Sequence, residues 1–196
     1  MTRDGSGRVV VLNGASSTGK TTLARTFRDR RAEAGECWLV LGIDDFFDRL
    51  PFQWMSAPGH HGIFSDAGVT MVPTPDGIRV RVGDVGRRLF AAYRRTAVTW
   101  AQAGFDVLVD DVTFDEQAAD DWAAALRGVR SIRVALRCDE AVRMQRERAR
   151  GDRLAGITRG TGGAHELGDH DAVLDSTRAT VDELADALAG IVDRAD

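Results

Sequence analysis

Residues Arg8–Thr21 read RVVVLNGASSTGKT, and the rest of the chain is best understood outward from them. Arg8–Leu12 is a continuous β-branched and apolar run, which is typical of a strand covered on both faces. Gly14–Thr21 fits the pattern G-x-x-x-x-G-K-[ST] at every fixed position, directly before a helical pattern. Glycines let backbone N–H groups converge on phosphate oxygens, and the start of a helix adds partial positive charge. The stretch therefore predicts a phosphate-binding loop for a nucleotide.

Positions within the phosphate-binding loop have separate expected tasks. Lys20 is expected to reach the β- and γ-phosphates of ATP as a catalytic residue, and the Thr21 hydroxyl is expected to bind Mg²⁺. Lys20 is the only lysine among 26 basic residues, which indicates a task that arginine cannot perform. A guanine-specific switch needs a second lysine, so this class of protein is disfavoured. The residues expected to bind ATP are Gly14, Ser16, Ser17, Thr18, Gly19, Lys20, Thr21 and Thr22.

Composition narrows the class of protein. The 196 residues carry a formal net charge of −4, and 43% of them are hydrophobic, enough to enclose a core. A mildly acidic chain has no field that attracts nucleic acid, so we expect no nucleic-acid partner. No apolar run is long enough for a membrane span or a secretory signal, so we expect no membrane partner and a cytoplasmic location.

The alternation of strand and helix patterns predicts an α/β protein with a parallel sheet. With the phosphate-binding loop, it predicts a three-layer, kinase-like P-loop NTPase fold in a single domain over residues 1–196. Two stretches carry no clear pattern: Pro51–Asp84 contains all four prolines, and Gly151–Gly168 is rich in glycine. Long loops in compact domains usually cover a site. We therefore expect an acceptor-binding insertion at about residues 46–84 and a lid at about residues 150–168. The predicted strands are Arg8–Leu12, Cys37–Ile43, Phe105–Val109, Ser131–Cys138 and His170–Leu174.

Two aspartate pairs follow predicted strands. Asp110 and Asp111 come after Val107–Val109, where a carboxylate holds Mg²⁺ in many nucleotide-binding proteins, and which of the two does so stays open. Asp44 and Asp45 come after the second strand, at the same carboxyl edge of the sheet. A carboxylate there can accept the proton of a substrate hydroxyl. We assign Asp44 to this catalytic task, whereas Asp45 better suits the cap of the following helix.

Arginines and aromatic residues complete the candidate site. Arg150 and Arg153 flank the start of the glycine-rich stretch and are expected to close over the triphosphate as catalytic residues. Arg143 and Arg146 fit either a solvated helix face or the site. A dense apolar stretch follows Asp44, and it serves either as core or as the lining of an acceptor pocket. The residues expected to bind the substrate are Asp44, Phe46, Phe47, Trp54 and Met55.

A series of motifs in this order resembles the chloramphenicol phosphotransferase family of actinomycetes over nearly the whole chain. The resemblance implies a single P-loop kinase domain that moves the γ-phosphate of ATP to a hydroxyl of an antibiotic, with Asp44 as the base. Thr70–Arg81 is longer and more polar than the family pattern, so a larger or more polar natural product fits the acceptor region equally well. The motifs are Gly14–Thr21, Gly42–Asp44, Leu50–Pro51, Met55–Ala57, Val109–Val112, Arg137–Asp139, Arg148–Arg153 and His165–Glu166.

Together these features predict an ATP- and Mg²⁺-dependent O-phosphotransferase that acts on a small hydroxylated natural product or antibiotic and confers resistance or self-protection. One alternative is a small-metabolite kinase for a sugar, a nucleoside or a nucleotide sugar. Another, outside enzymology, is a regulatory protein that binds ATP and has no acceptor.

Overall fold

The central sheet of the protein has five parallel strands, as seen in a computed structural model that describes residues 5–57, 59–150 and 156–195. Its spatial order is β2-β7-β1-β8-β9. This order puts β1 in the middle, between β7 and β8, which explains why every residue of β1 is buried. The strands are β1 (Val9–Asn13), β2 (Trp38–Gly42), β7 (Asp106–Asp111), β8 (Ser131–Arg137) and β9 (Ala172–Asp175).

Helices cover both faces of this sheet and make three layers. On one face, α1 and α7 pack against one apolar core, in which Phe27 and Leu188 are fully enclosed. On the other face, α3 and α4 contribute Tyr93 and Trp122 to a second core. The prediction of an α/β fold with a parallel sheet is confirmed. The helices are α1 (Lys20–Glu33), α2 (Ile43–Phe47), α3 (Asp84–Gln102), α4 (Glu116–Ala125), α5 (Glu140–Arg150), α6 (Ile157–Gly160) and α7 (Val181–Arg194).

A second sheet occupies the proline-containing stretch for which the sequence showed no clear pattern. Its order is β4-β3-β5-β6, built from β3 (Met55–Ala57), β4 (His60–His61), β5 (Val69–Thr74) and β6 (Gly77–Val82). In β6 buried and exposed residues alternate, and its buried Val80 joins the core beneath α3. Two prolines in and after β5 obscured this hairpin, because proline cannot donate a backbone hydrogen bond in a sheet.

The glycine-rich stretch also contains regular structure that the sequence did not predict. Helix α6 lies within it, and Ala164–Glu166 forms a 3₁₀ turn. Helix α6 packs beside β6, where the Ile78 N–H donates to the Gly156 carbonyl at 2.9 Å. Among the described residues, no helix combines the length and the apolar character that a membrane span needs.

Candidate active site

The phosphate-binding loop leaves β1 and is pressed against the next strand of the sheet. Gly14 has no room for a side chain, because a Cβ there would lie 2.4 Å from the carbonyl oxygen of Leu136 in β8. Gly19 has a φ of 97°, a backbone conformation that favours glycine, and it directly precedes α1. Lys20 is buried, and its Nζ donates to the Ala15 carbonyl at 2.8 Å. The lysine thus reaches back across the loop that it follows.

Asp110 lies beside the end of this loop. The Thr21 hydroxyl donates to Asp110 Oδ2, and Lys20 Nζ lies 4.0 Å from Asp110 Oδ1. The backbone carbonyl of Asp110 accepts a hydrogen bond from the Tyr93 hydroxyl at 3.2 Å. Pairing in the sheet fixes this position, since Asp110 stands opposite Leu12 of β1 and Gly42 of β2. One carboxylate, one hydroxyl and one ammonium group therefore meet at the carboxyl edge of the sheet.

Asp111 belongs to a different environment. Its side chain is buried, and Asp111 Oδ2 accepts hydrogen bonds from Thr113 Oγ1 and Trp122 Nε1, both at 3.0 Å. Burial raises the pKa of the Asp111 carboxyl, although the nearby positive charge of Arg94 partly opposes that shift. The structure thus brings Asp110 to the phosphate-binding loop and holds Asp111 among core residues.

Asp44 reaches the same cleft from the other side. It lies in the first turn of α2, two residues beyond β2, and its side chain is exposed. Asp45 instead folds back on the helix start, where the Gly42 N–H donates to Asp45 Oδ2 at 3.1 Å. The two carboxylates are therefore divided between the cleft and the helix cap. The cleft is lined by Ser16, Ser17, Gly19, Lys20, Thr21, Ile43, Asp44, Asp110 and Val112.

Comparison with known proteins agrees with this geometry. Residues 7–193 match the family described as chloramphenicol phosphotransferase-like protein. The chain belongs to the chloramphenicol phosphotransferase-like family. The family assignment and the P-loop kinase fold together make it a phosphotransferase of the kinase type.

Several individual proteins are similar to this chain in sequence or in fold. Two Mycobacterium tuberculosis proteins, from strains CDC 1551 and H37Rv, are each named "Putative O-phosphotransferase" and are 30% identical to it, covering 93% of this chain and 80% of theirs. The M. tuberculosis APS kinase in complex with AMPPNP and APS shares the fold, with a TM-score of 0.66 and 16% identity over 96% of this chain and 99% of that one. A Deinococcus radiodurans tunicamycin resistance protein matches with a TM-score of 0.56 and 14% identity, over 95% of each chain.

In this member of the chloramphenicol phosphotransferase-like family, a cavity of about 350 Å³ adjoins the phosphate-binding loop. Arg146 lines this cavity. Its Nη1 donates to the Thr18 carbonyl at 3.1 Å and its Nη2 to the Ser176 carbonyl at 2.8 Å. Sequence reasoning left Arg146 open and missed Ser176. For Arg146, the sequence signal was its three-residue spacing from Arg143, which puts both residues on one helix face. The lining residues are Ser17, Thr18, Gly19, Thr22, Arg146, Ala149, Ser176, Ala179, Val181 and Leu184.

The aromatic residues expected to bind substrate pack mainly against each other and the core. Phe46 contacts Tyr93 edge to face, with ring centroids 5.2 Å apart. The ring centroid of Phe47 lies 5.0 Å from that of Phe90 and 5.9 Å from that of Phe114. Phe46 and Phe47 follow Asp44 in the chain and are only partly buried, but they pack against the core and do not line the cleft.

Other expected site residues lie further out. Trp54 packs on Phe64 with ring centroids 4.8 Å apart, and Met55 begins β3 in the second sheet. Arg150 is the last residue of α5, and its side chain, like the whole of Arg153, lies outside the described residues. Closure of these arginines over the triphosphate stays a prediction.

Proposed function

We propose that the protein is an ATP- and Mg²⁺-dependent O-phosphotransferase whose acceptor is a small hydroxylated natural product or antibiotic. The observation that carries the proposal is the meeting of the phosphate-binding loop, Asp110 and Asp44 in one cleft. These parts come from β1, β7 and the start of α2, and each supplies a different group that phosphoryl transfer requires. We place this activity in the cytoplasm, where ATP is available.

The donor side of the cleft fits a triphosphate. Lys20 supplies a compact positive charge, and loops of this motif use backbone N–H groups before the helix to bind phosphate. The neighbouring 350 Å³ cavity, with the Arg146 guanidinium in its wall, offers room for the nucleoside part. ATP, when bound, supplies the γ-phosphoryl group that is transferred. Lys20 and the loop amides would hold and orient that group.

The oxygen atoms of Thr21 and Asp110 fit Mg²⁺. They lie in direct contact at the phosphate end of the cleft, and Mg²⁺ prefers a few protein oxygens together with phosphate and water oxygens. Mg²⁺, when bound, neutralises negative charge on the phosphates. We assign this metal to Thr21 and Asp110 and give Asp111 a structural task, because its carboxylate is already engaged by Thr113 and Trp122.

Asp44 is suited to accept the proton of the acceptor hydroxyl. It lines the same cleft as Asp110, and its side chain is exposed to solvent there. Transfer of the hydroxyl proton to Asp44 would raise the electron density on the acceptor oxygen as it approaches phosphorus. The partly exposed rings of Phe46 and Phe47 would then exclude water on the apolar side of the acceptor.

The walls beyond Asp44 support the proposed acceptor class. Ile43 and Val112 of the cleft also line a small adjoining cavity floored by Phe90 and Phe114. The Arg87–Asp115 ion pair, at 3.1 Å and partly exposed, stands at its edge. This space, about 10 Å³, holds no more than one water, so an acceptor would lie over its mouth. Apolar side chains beside a charged edge would suit a natural product that combines a hydrophobic body with polar substituents. Phosphorylation of such a molecule would serve resistance or self-protection.

A screen of hydroxylated compounds with ATP and Mg²⁺ tests the proposal. Antibiotics, sugars and nucleosides are incubated separately with the wild-type protein and with Lys20→Ala, and products are detected by mass spectrometry. A phosphorylated antibiotic formed only by the wild type supports the proposal. A product from sugars or nucleosides alone would instead identify a metabolite kinase. ATP binding without a product in any class would favour a regulatory protein.

A further inference from the structure

Helix α6 lies between the phosphate-binding loop and the second sheet. Thr158 within it is completely buried, and Thr161, which follows it, is nearly so. Neither residue lines the cleft that contains Asp44 and Asp110. Buried hydroxyl groups need hydrogen-bond partners. Each of these two has one in the phosphate-binding loop, and the Thr161 hydroxyl also donates to the Ile157 carbonyl.

Two hydrogen bonds join the helix to consecutive loop residues. Thr158 Oγ1 donates to Ser17 Oγ at 3.0 Å, and the Ser16 N–H donates to Thr161 Oγ1, also at 3.0 Å. Both bonds are buried, where the loss of one partner leaves the other polar group without compensation from water. The contacts therefore hold the middle of the loop against α6.

Ser17 is the loop residue that most needs such support. Its φ is 64°, and among the described residues it is the only one other than glycine with a positive φ. This left-handed conformation is unfavourable for a residue with a Cβ, and it persists where the surroundings enforce it. The hydrogen bond from Thr158 acts on the side chain of this same residue.

Helix α6 is itself fixed from two other sides. Arg143 of α5 is buried and donates to the Thr158 carbonyl at 2.8 Å, while Glu147 accepts from the Thr158 N–H at 3.0 Å. On the opposite side Gly160 packs so closely on β6 that a Cβ would lie 1.8 Å from the Ile78 carbonyl oxygen. Thr158 therefore presents its hydroxyl from a rigid support.

We propose that Thr158 and Thr161 are positioning residues that hold Ser16 and Ser17 in the conformation that binds the triphosphate. Thr158 fixes the unfavourable backbone of Ser17, and Thr161 fixes the adjacent amide. This inference rests on the proposed nucleotide site and adds residues outside the loop motif to it. Neither threonine lines the nucleoside cavity, and only Ser17 of the two residues they hold does so, so we expect a larger effect on the phosphates than on the nucleoside.

Binding measurements with Mg²⁺ and AMPPNP test the inference. Thr158→Val keeps the shape and removes the hydroxyl, so we expect affinity for AMPPNP to fall about tenfold, or about 1.4 kcal/mol. Adenosine affinity, measured by displacement of a fluorescent nucleotide, should change less than the affinity for AMPPNP. Thr158→Ser should restore AMPPNP binding. Thr96→Val is the matched control, because it removes a helix hydroxyl bond in α3, to the Ala92 carbonyl.

A double-mutant cycle gives a second, independent measurement. Ser17→Gly removes both the hydroxyl partner and the backbone penalty, so Thr158→Val should have little further effect on AMPPNP affinity in that background. If Thr158→Val does not fold, Thr161→Val is measured in the same way, with Thr161→Ser as its rescue.

Two results would overturn the inference. One is unchanged AMPPNP affinity in the folded valine variants, and the other is an equal loss of adenosine and AMPPNP binding. A wild-type protein that does not bind AMPPNP would instead contradict the proposed function. The two failures are therefore distinguishable.

Discussion

Asp110 and Asp111 are adjacent in β7, but their carboxylates serve opposite sides of the strand. Asp110 accepts a hydrogen bond from the Thr21 hydroxyl beside the phosphate-binding loop, whereas Asp111 accepts one from the indole N–H of Trp122 in the core. Successive side chains of a strand point to opposite faces, so this division follows from strand geometry. The sequence alone could not show which face held the loop. The arrangement separates the proposed Mg²⁺ ligand from a structural carboxylate.

Replacement of Asp111 should affect stability and its pH dependence. Asp111→Ala leaves the donors of Trp122 and Thr113 without their acceptor, so we expect the free energy of unfolding to fall by about 2 kcal/mol. Asp111→Asn keeps an acceptor oxygen and should cost less. Chemical denaturation of both variants measures these changes, and the Mg²⁺ concentration for half activity should stay at the wild-type value. Asp110→Asn should instead raise that concentration while leaving stability nearly unchanged.

The sign of the pH effect follows from the raised pKa of Asp111. Burial raises this pKa above 3.8 in the folded protein, so the folded state takes up the proton more readily than the unfolded state. Relative to Asp111→Asn, the wild type should therefore gain stability as the pH falls through the folded pKa toward 3.8. Denaturation midpoints of the two proteins across this range test the expectation. A constant difference between them would contradict it.

Lys20→Arg should abolish most activity although arginine is used everywhere else in the chain. Lys20 is buried and its Nζ donates to the Ala15 carbonyl, a position too confined for a planar guanidinium. We expect turnover to fall by about 100-fold or more, comparable with other losses of transition-state charge stabilisation. A steady-state assay with ATP measures it. Arg28→Lys on the exposed face of α1 is the control and should retain full turnover.

The central sheet was predictable because its signals are local. An uninterrupted apolar run followed by Gly14–Thr21 specifies a buried strand, a loop and a helix, and the strand formed within one residue of its predicted bounds. The second sheet was not predictable, because β3 and β4 are only a few residues long and β3 joins the sheet by pairing with β5 across an intervening loop. Prolines near β5 further concealed the hairpin that it forms with β6.

The site was predictable to a smaller extent than the sheet. Asp44 and the pair Asp110 and Asp111 could be named because they follow predicted strands whose carboxyl ends meet at one edge, whereas the choice between Asp110 and Asp111 stayed open. Thr158 and Ser176 reach the loop from distant parts of the chain, through contacts that no spacing in the sequence encodes. Their hydroxyl groups resemble those of any other loop threonine or serine until the fold brings them to the phosphate-binding loop.

Gly160→Ala should separate α6 from β6. The new Cβ would lie 1.8 Å from the Ile78 carbonyl oxygen, so the helix must shift away from the strand. We expect the free energy of unfolding to fall by about 2 kcal/mol, since overpacking costs roughly 1–3 kcal/mol. We also expect weaker AMPPNP binding. Thermal denaturation and isothermal titration measure the two effects.

Gly190→Ala is the matched control for this substitution. Gly190 lies inside α7, where the nearest atom to a new Cβ is the flexible end of Arg194 at 3.3 Å. Alanine is favoured over glycine in a helix interior, so this variant should be as stable as the wild type or more stable. Equal behaviour of the two alanine variants would show that the close contact of α6 with β6 has no effect on stability.

Asp44→Asn and Asp45→Asn should separate catalysis from helix capping. Asp44 lines the cleft, so its replacement removes the proposed proton acceptor while the phosphate-binding loop stays intact. We expect turnover to fall by about 10²-fold or more with little change in AMPPNP affinity. Asp45 accepts the Gly42 N–H, and its replacement should lower stability by about 0.5–1 kcal/mol while turnover is kept. Kinetics, nucleotide titration and thermal denaturation of the two variants measure these effects side by side.

If Asp44→Asn keeps wild-type turnover, or loses activity only through weaker Mg²⁺ binding, another group must accept the hydroxyl proton. A larger catalytic loss in Asp45→Asn than in Asp44→Asn would transfer that assignment to Asp45.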